Sequence, residues 1–165
     1  MEKPIFFTKQ QLSKKNYLEI KEIFDHFFKD KNINILDETV ICILTLNKKI
    51  ISFLCILSLS DFNSNNSYCE NIKKQGVSIN DSYIYNVCVH KDYCRKGYGK
   101  KILEYSHDYI KNNKKDNILL FVDNGNIPAI CLYNKYNYKV LMATPSGFVM
   151  KKILDSDKRF LSCDI

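Results

Sequence analysis

The sequence predicts a mixed α/β fold, a sheet flanked by helices. Three observations carry this. A stretch with helical apolar spacing lies near the start, and two β-branched apolar runs joined by a short polar turn follow it. The second half then alternates apolar strands with helix-spaced segments and closes on a hairpin.

Taken in order, Leu12–Lys29 sets Leu12, Tyr17, Ile20, Ile23, Phe24, Phe27 and Phe28 near helical spacing, which predicts a first helix. Thr39–Leu46 and Ile50–Leu59 read as strands joined by Asn47-Lys48-Lys49, a hairpin signature. Ser60–Asp81 is polar and reads as a loop, with one short helical turn expected around Cys69–Lys74. Tyr83–Val89 is the next strand. Gly97–Asn112 follows as a helix with Ile102, Leu103, Ser106, Tyr109 and Ile110 on one face. Asn117–Val122 is a short apolar strand. Asn126–Tyr136 is a helix capped by Asn126, with Pro128 in its first turn. Tyr138–Ala143 and Phe148–Ile153 form a closing hairpin across Thr144–Gly147, and the chain after Leu154 reads as a poorly ordered tail.

The length of 165 residues suits one domain, residues 1–154, followed by the tail 155–165. No apolar run reaches the ~18 residues that span a bilayer, and the start MEKPIFFTKQQ lacks the apolar core of a signal peptide. These features point to an intracellular, cytoplasmic protein without membrane partners. The seven cysteines include no CxxC pair, which argues against a structural metal or a disulfide framework. Cys42, Cys55, Cys88 and Cys131 lie in apolar stretches, where a free thiol acts as a small hydrophobe. The net charge of +7 could suggest nucleic acid, but the basic residues are 23 Lys and 2 Arg spread along the whole chain. A solvated surface explains that spread better, and no aromatic-plus-basic recognition motif supports nucleic-acid binding.

The most informative stretch is Tyr83–Leu103, YIYNVCVHKDYCRKGYGKKIL. It runs from a strand through a basic glycine turn into a helix, and that order builds an anion site from backbone. Gly97 and Gly99 allow close approach, and the helix start points free N–H groups and its positive dipole end at the same spot. GxxxxGK[ST] and GxGxxG are both absent, so the usual nucleotide signatures fail. What remains is CRKGYGKK, whose amides from Arg95 to Lys100 can form a nest for a pyrophosphate.

A second segment, NIPAICLYNKYNY at Asn126–Tyr138, follows the strand NILLFV. Together the two segments resemble the GCN5-related N-acetyltransferase (GNAT) superfamily. Its pyrophosphate loop [Q/R]-x-x-G-x-[G/A] follows a strand ending V-x-V. Here Val87-Cys88-Val89 precedes Cys94-Arg95-Lys96-Gly97-Tyr98-Gly99. Its second motif, N-x-x-A-x-x-L-Y-x-K-x-G-F, is matched by Asn126, Ala129, Leu132, Tyr133 and Lys135. The resemblance covers about Tyr83–Val140 and implies a central, mostly antiparallel sheet of about six to seven strands. It implies acetyl-CoA as cosubstrate, no metal, and an amine acceptor, either a small molecule or a protein amine. Val87, Cys88 and Val89 would pair their backbone with the pantetheine arm. Cys94 to Lys100 would form the pyrophosphate loop, with Arg95, Lys96 and Lys100 adding charge, and Asn126 would touch the cofactor arm. Tyr133 would be the general acid that protonates the departing thiolate.

The chain departs from the family pattern in three places. Cys94 stands where Gln or Arg is usual, which removes a side-chain contact from a cradle built of backbone. Asn137 replaces a glycine, and Asn is the next best residue for a left-handed helix end. Tyr138 replaces Phe. The general base stays open among Asp81, Tyr83, Tyr85 and water. His90 reads as structural, and His26 and His107 as surface residues. The acceptor site would be built by Phe24–Asn34, Ser60–Asp81 and Met142–Phe148. The alternative reading is a non-enzymatic CoA or acyl-CoA sensor on the same fold. Either a monomer or a homodimer is compatible with the sequence.

Overall fold

A computed structural model describes residues 3–29, 32–60 and 77–154. Its strands are β1 Ile5–Thr8, β2 Val40–Leu46, β3 Lys49–Ser58, β4 Ser82–Val89, β5 Asn117–Asp123, β6 Lys139–Ala143 and β7 Gly147–Ile153. The helices are α1 Lys14–Phe27, α2 Tyr98–Asn112 and α3 Ile127–Lys135. Among the described residues the strands form one seven-stranded sheet in the order β1-β2-β3-β4-β5-β7-β6. Every neighbouring pair is antiparallel except β4 with β5. The sheet is thus mixed and mostly antiparallel, with helices on both faces.

Each element has a local cause. Ser13 caps α1 by accepting a 3.1 Å bond from the Asn16 amide. The β2–β3 hairpin turns on two residues, Asn47 and Lys48, at φ 51° and 64°. That pair of left-handed residues matches the twist of a two-residue hairpin. Lys49, expected in the turn, instead opposes Leu46 in the ladder. β3 is buried from Ile50 to Leu57 because helices cover both of its faces, which is why it reads as an unbroken apolar run.

The two faces carry separate cores. α1 sends Ile20, Ile23 and Phe24 onto Ile41, Phe53 and Cys55. On the opposite face α2 and α3 send Ile102, Leu103 and Tyr133 onto Leu54, Ile84 and Leu120. Phe27 lies outside its expected stripe and is exposed.

Four expectations need correction or completion. β1 was not expected. It is four residues long, and pairing with β2 from Ile5↔Ile43 to Thr8↔Val40 holds it. Phe6 then stacks on Tyr109 of α2 at 4.4 Å. His107 is not a surface residue: it lies on the inner face of α2 and is only 9% exposed. Cys131, expected to fill the core, is exposed. The expected helical turn at Cys69–Lys74 and the tail after Leu154 lie outside the described residues.

Candidate active site

β4 and β5 pair in parallel only at their starts, through Ser82↔Ile118, Tyr83↔Leu119 and Ile84↔Leu120. Beyond that point the two strands part, although β4 continues to Val89 and β5 to Asp123. On its other side β4 remains paired with β3 as far as Ser52↔Val89. The register slips between Phe53 and Cys55, where Asn86 adopts φ 53°. One extra residue on β4 is a bulge, which bends a strand and reverses its side-chain alternation. Val87 accordingly faces the α2 side, and Cys88 faces the α1 side. The sheet opens into a wedge whose β4 wall is Tyr85–Val89, with no strand partner on the β5 side.

At the wide end of the wedge the chain makes a 3-10 turn, Lys91–Tyr93, and then the basic glycine segment. Arg95 at φ 59° and Gly97 at φ 85° alternate with Cys94 and Lys96, whose φ is negative. Such alternation turns successive N–H groups toward one concavity. Among the described residues the amides of Arg95 to Lys100 have no acceptor, and the first helical bond runs from the Lys101 amide to the Gly97 carbonyl at 3.0 Å. The expected anion cradle falls on these six consecutive free donors at a helix start.

The basic side chains differ in what they can add. Lys96 folds back, bonding the Asp92 carbonyl at 2.8 Å and lying over the Tyr93 ring. Lys100 stands 3.8 Å from Glu104, and Arg95 is exposed at the mouth. Tyr98 packs edge-on against Tyr93 and is half-buried. The Cys94 thiol donates to the Val89 carbonyl at 3.5 Å and to the His90 carbonyl at 3.6 Å, while its amide bonds Lys91. Cys94 therefore closes the turn. A Cβ on Gly99 would meet Val89 at 3.7 Å and Leu132 at 3.9 Å. The cradle, the end of β4 and α3 thus meet at this one glycine.

α3 brings Tyr133 to the wedge. Asn126 caps this helix through its side-chain oxygen, which accepts from the Ala129 amide at 3.3 Å. At the other end Asn137 takes φ 63°, the left-handed position expected of it. The Tyr138 amide then bonds the Tyr133 carbonyl at 3.1 Å, and the Asn137 amide bonds Asn134 at 3.0 Å. This is a Schellman end, with its usual apolar contact made by the Tyr133 and Tyr138 rings at 5.6 Å. Tyr133 is 6% exposed, and among the described residues its hydroxyl has no hydrogen-bond partner. Burial first, and the Cys88 thiol on β4 second, push that hydroxyl up to about 12. Tyr133 therefore keeps its proton throughout the neutral range.

The base candidates are less free. Asp81 is fully buried, bonded to the Ser78 amide and to Asn117 Nδ2, with Lys151 at 3.8 Å. It also sits where β4 and β5 are still joined. The Tyr85 hydroxyl bonds Thr39 and accepts from the Leu36 amide, and burial pushes it up to about 12. Tyr83 packs on Tyr85 at 6.3 Å. His90 is buried and caps the 3-10 turn, accepting from the Asp92 amide through Nδ1.

Comparison with known proteins agrees with this architecture. The Acetyltransferase (GNAT) family profile matches residues 8–138. The chain belongs to this family. An N-alpha-acetyltransferase from Saccharolobus solfataricus is 36% identical over 70 residues, which is 42% of this chain and 42% of that protein. The chain thus spans about two fifths of that curated relative. The fold is also similar to the ribosomal-protein-S18-alanine N-acetyltransferase from Escherichia coli. That match has a TM-score of 0.65 at 16% identity and covers 96% of this chain and 99% of the other. A PaiA N-acetyltransferase from Thermoplasma acidophilum, solved in complex with coenzyme A, gives 0.66 at 14% identity and covers 93% and 100%.

Proposed function

We propose that the protein transfers the acetyl group of acetyl-CoA to an amine by direct attack in a ternary complex. The single observation that carries this reading is the run of free amides from Arg95 to Lys100, placed at the open end of the β4–β5 wedge. The pyrophosphate rests on those amides, with Arg95 and Lys100 adding charge at the mouth. The pantetheine arm lies along Val87, Cys88 and Val89 as an added strand, taking the ladder positions that β5 leaves. Gly99 lets the arm pass, and Asn126 Nδ2 faces it from the start of α3. Two solved N-acetyltransferases of similar fold hold coenzyme A, which supports a CoA ligand here.

The chemistry follows from where the thioester ends. The amine nitrogen forms the N–C bond, the C–S bond breaks, and the electron pair stays on sulfur. One proton leaves nitrogen and one arrives on sulfur, so the reaction balances without a cofactor redox change. Tyr133 supplies the proton to sulfur. An alkyl thiol ionises near about 8.5, so outright transfer from this phenol is uphill by about 5 kcal/mol. The proton therefore moves as the C–S bond breaks, and the proton lost by nitrogen refills the phenol. Asp81 and Tyr85 are already engaged, and the amine gives up its first proton to water.

Tyr133→Phe tests the acid. Acetyl-CoA binding should persist while kcat falls about a hundredfold, read by thiol release with a panel of amines. Wild-type turnover by this variant would remove Tyr133 from the chemistry. Among the described residues Asp81 and Tyr85 are both engaged, which favours a second reading, a CoA-binding sensor. It predicts acetyl-CoA binding with no thiol release against any amine class.

A further inference from the structure

Tyr138 and His107 form a buried polar pair that the sequence did not announce. Tyr138 is fully buried, and its hydroxyl meets His107 Nε2 at 2.9 Å. Filling that volume needs only a phenyl ring. A buried hydroxyl is costly without a partner, and so is the imidazole left facing it. The pair spans two elements that matter. His107 stands on α2, whose first turn is the amide cradle. Tyr138 is the residue whose amide closes the end of α3 onto Tyr133, and its ring lies on the Tyr133 ring at 57°.

We propose that Tyr138, held by His107, is a positioning residue that sets the Tyr133 phenol relative to the cofactor cradle. The proposal rests on the reading of Tyr133 as the proton donor. Tyr138 touches Tyr133 and not the reacting atoms, so it acts through the acid's placement. A displacement of a donor by about 1 Å can cost about a hundredfold in rate. His107 suits the task because it stays neutral. It faces Tyr138, Tyr136 and Lys152, and burial first and the Lys152 ammonium second lower it to about 4. Neutral imidazole keeps one donor and one acceptor nitrogen, so the bond to the Tyr138 hydroxyl holds at physiological pH. Tyr136 on the far side bonds Glu104 of α2 at 2.6 Å and adds a second tie between the same two helices.

A double-mutant cycle tests this. Tyr138→Phe should lower kcat about tenfold and leave KM for acetyl-CoA within about twofold. In the Tyr133→Phe background the same change should alter kcat by less than about twofold, because the group it positions is already gone. An equal loss in both backgrounds, or no loss in the first, would overturn the proposal. Should Tyr138→Phe fail to fold, His107→Gln and His107→Leu carry the test. Glutamine presents a polar group near the place of Nε2 and should retain most of kcat, whereas leucine should not; equal rates would overturn the proposal. If Tyr133→Phe alone turns over at the wild-type rate, the acid reading itself fails and takes this role with it. A slow Tyr133→Phe with an additive Tyr138→Phe sinks only the positioning role.

Discussion

A histidine that folds into a core carries a pH dependence with it. His107 is held near about 4 in the folded chain against an ordinary 6.5. Between those values the unfolded chain binds a proton that the folded chain refuses. The resulting stability is fully present above about pH 6.5 and drains away as pH falls, by on the order of 3 kcal/mol at pH 4. Urea midpoints measured from pH 7.5 down to 4.5 should therefore fall more steeply for the wild type than for His107→Gln, and parallel curves would contradict the assignment. The residue's burial was partly legible. His107 lies four residues after Leu103 and three before Ile110, inside the apolar stripe of α2. Its polarity suggested the surface, because the partner that satisfies it, Tyr138, is 31 residues away in the chain. Asn137 shows the opposite case: its left-handed φ follows from local chemistry at a helix end, and the sequence showed it directly.

At the scale of elements, the glycines divide by mechanism. Gly97 supplies a left-handed φ of 85°. Gly99 supplies only the absence of a Cβ, since one added there would meet ordinary contacts. Gly147 is different again: a Cβ there would lie 2.1 Å from the Val122 carbonyl oxygen, where β7 pairs with β5. Gly147→Ala must push the two strands apart and should cost about 2 kcal/mol or more. Gly99→Ala should leave the urea midpoint nearly unchanged, so any loss of acetyl-CoA affinity in it reports the cradle and not the fold. Equal stabilities for the two variants would contradict this division. None of this distinction is visible in the sequence. β1 was equally hidden. Four residues beginning IFFT have too little pattern to announce a strand, and only the long-range pairing with β2 makes them one.

For the whole molecule, the site is a consequence of sheet topology. A parallel pair that starts joined and then separates leaves a gap, and the bulge at Asn86 turns the β4 edge into it. Helix α2 then begins at the wide end and α3 closes the side. The amide run and the second helix were legible because they depend on short-range chemistry: a glycine turn, a helix start and a capped helix. The acceptor was not legible: the segments expected to line its site, Phe24–Asn34, Ser60–Asp81 and Met142–Phe148, carry no local pattern that names a substrate, and residues 61–76 lie outside the described residues.

The central claim is that the β4–β5 wedge and its amide cradle hold acetyl-CoA by its pyrophosphate. Calorimetric titration of the protein with acetyl-CoA, beside acetyl-pantetheine that lacks the pyrophosphate and nucleotide, tests it directly. Acetyl-CoA should bind with Kd in the range of about ten micromolar or tighter, and acetyl-pantetheine about a hundredfold more weakly. No heat with acetyl-CoA, or equal affinity for the two, would contradict the account.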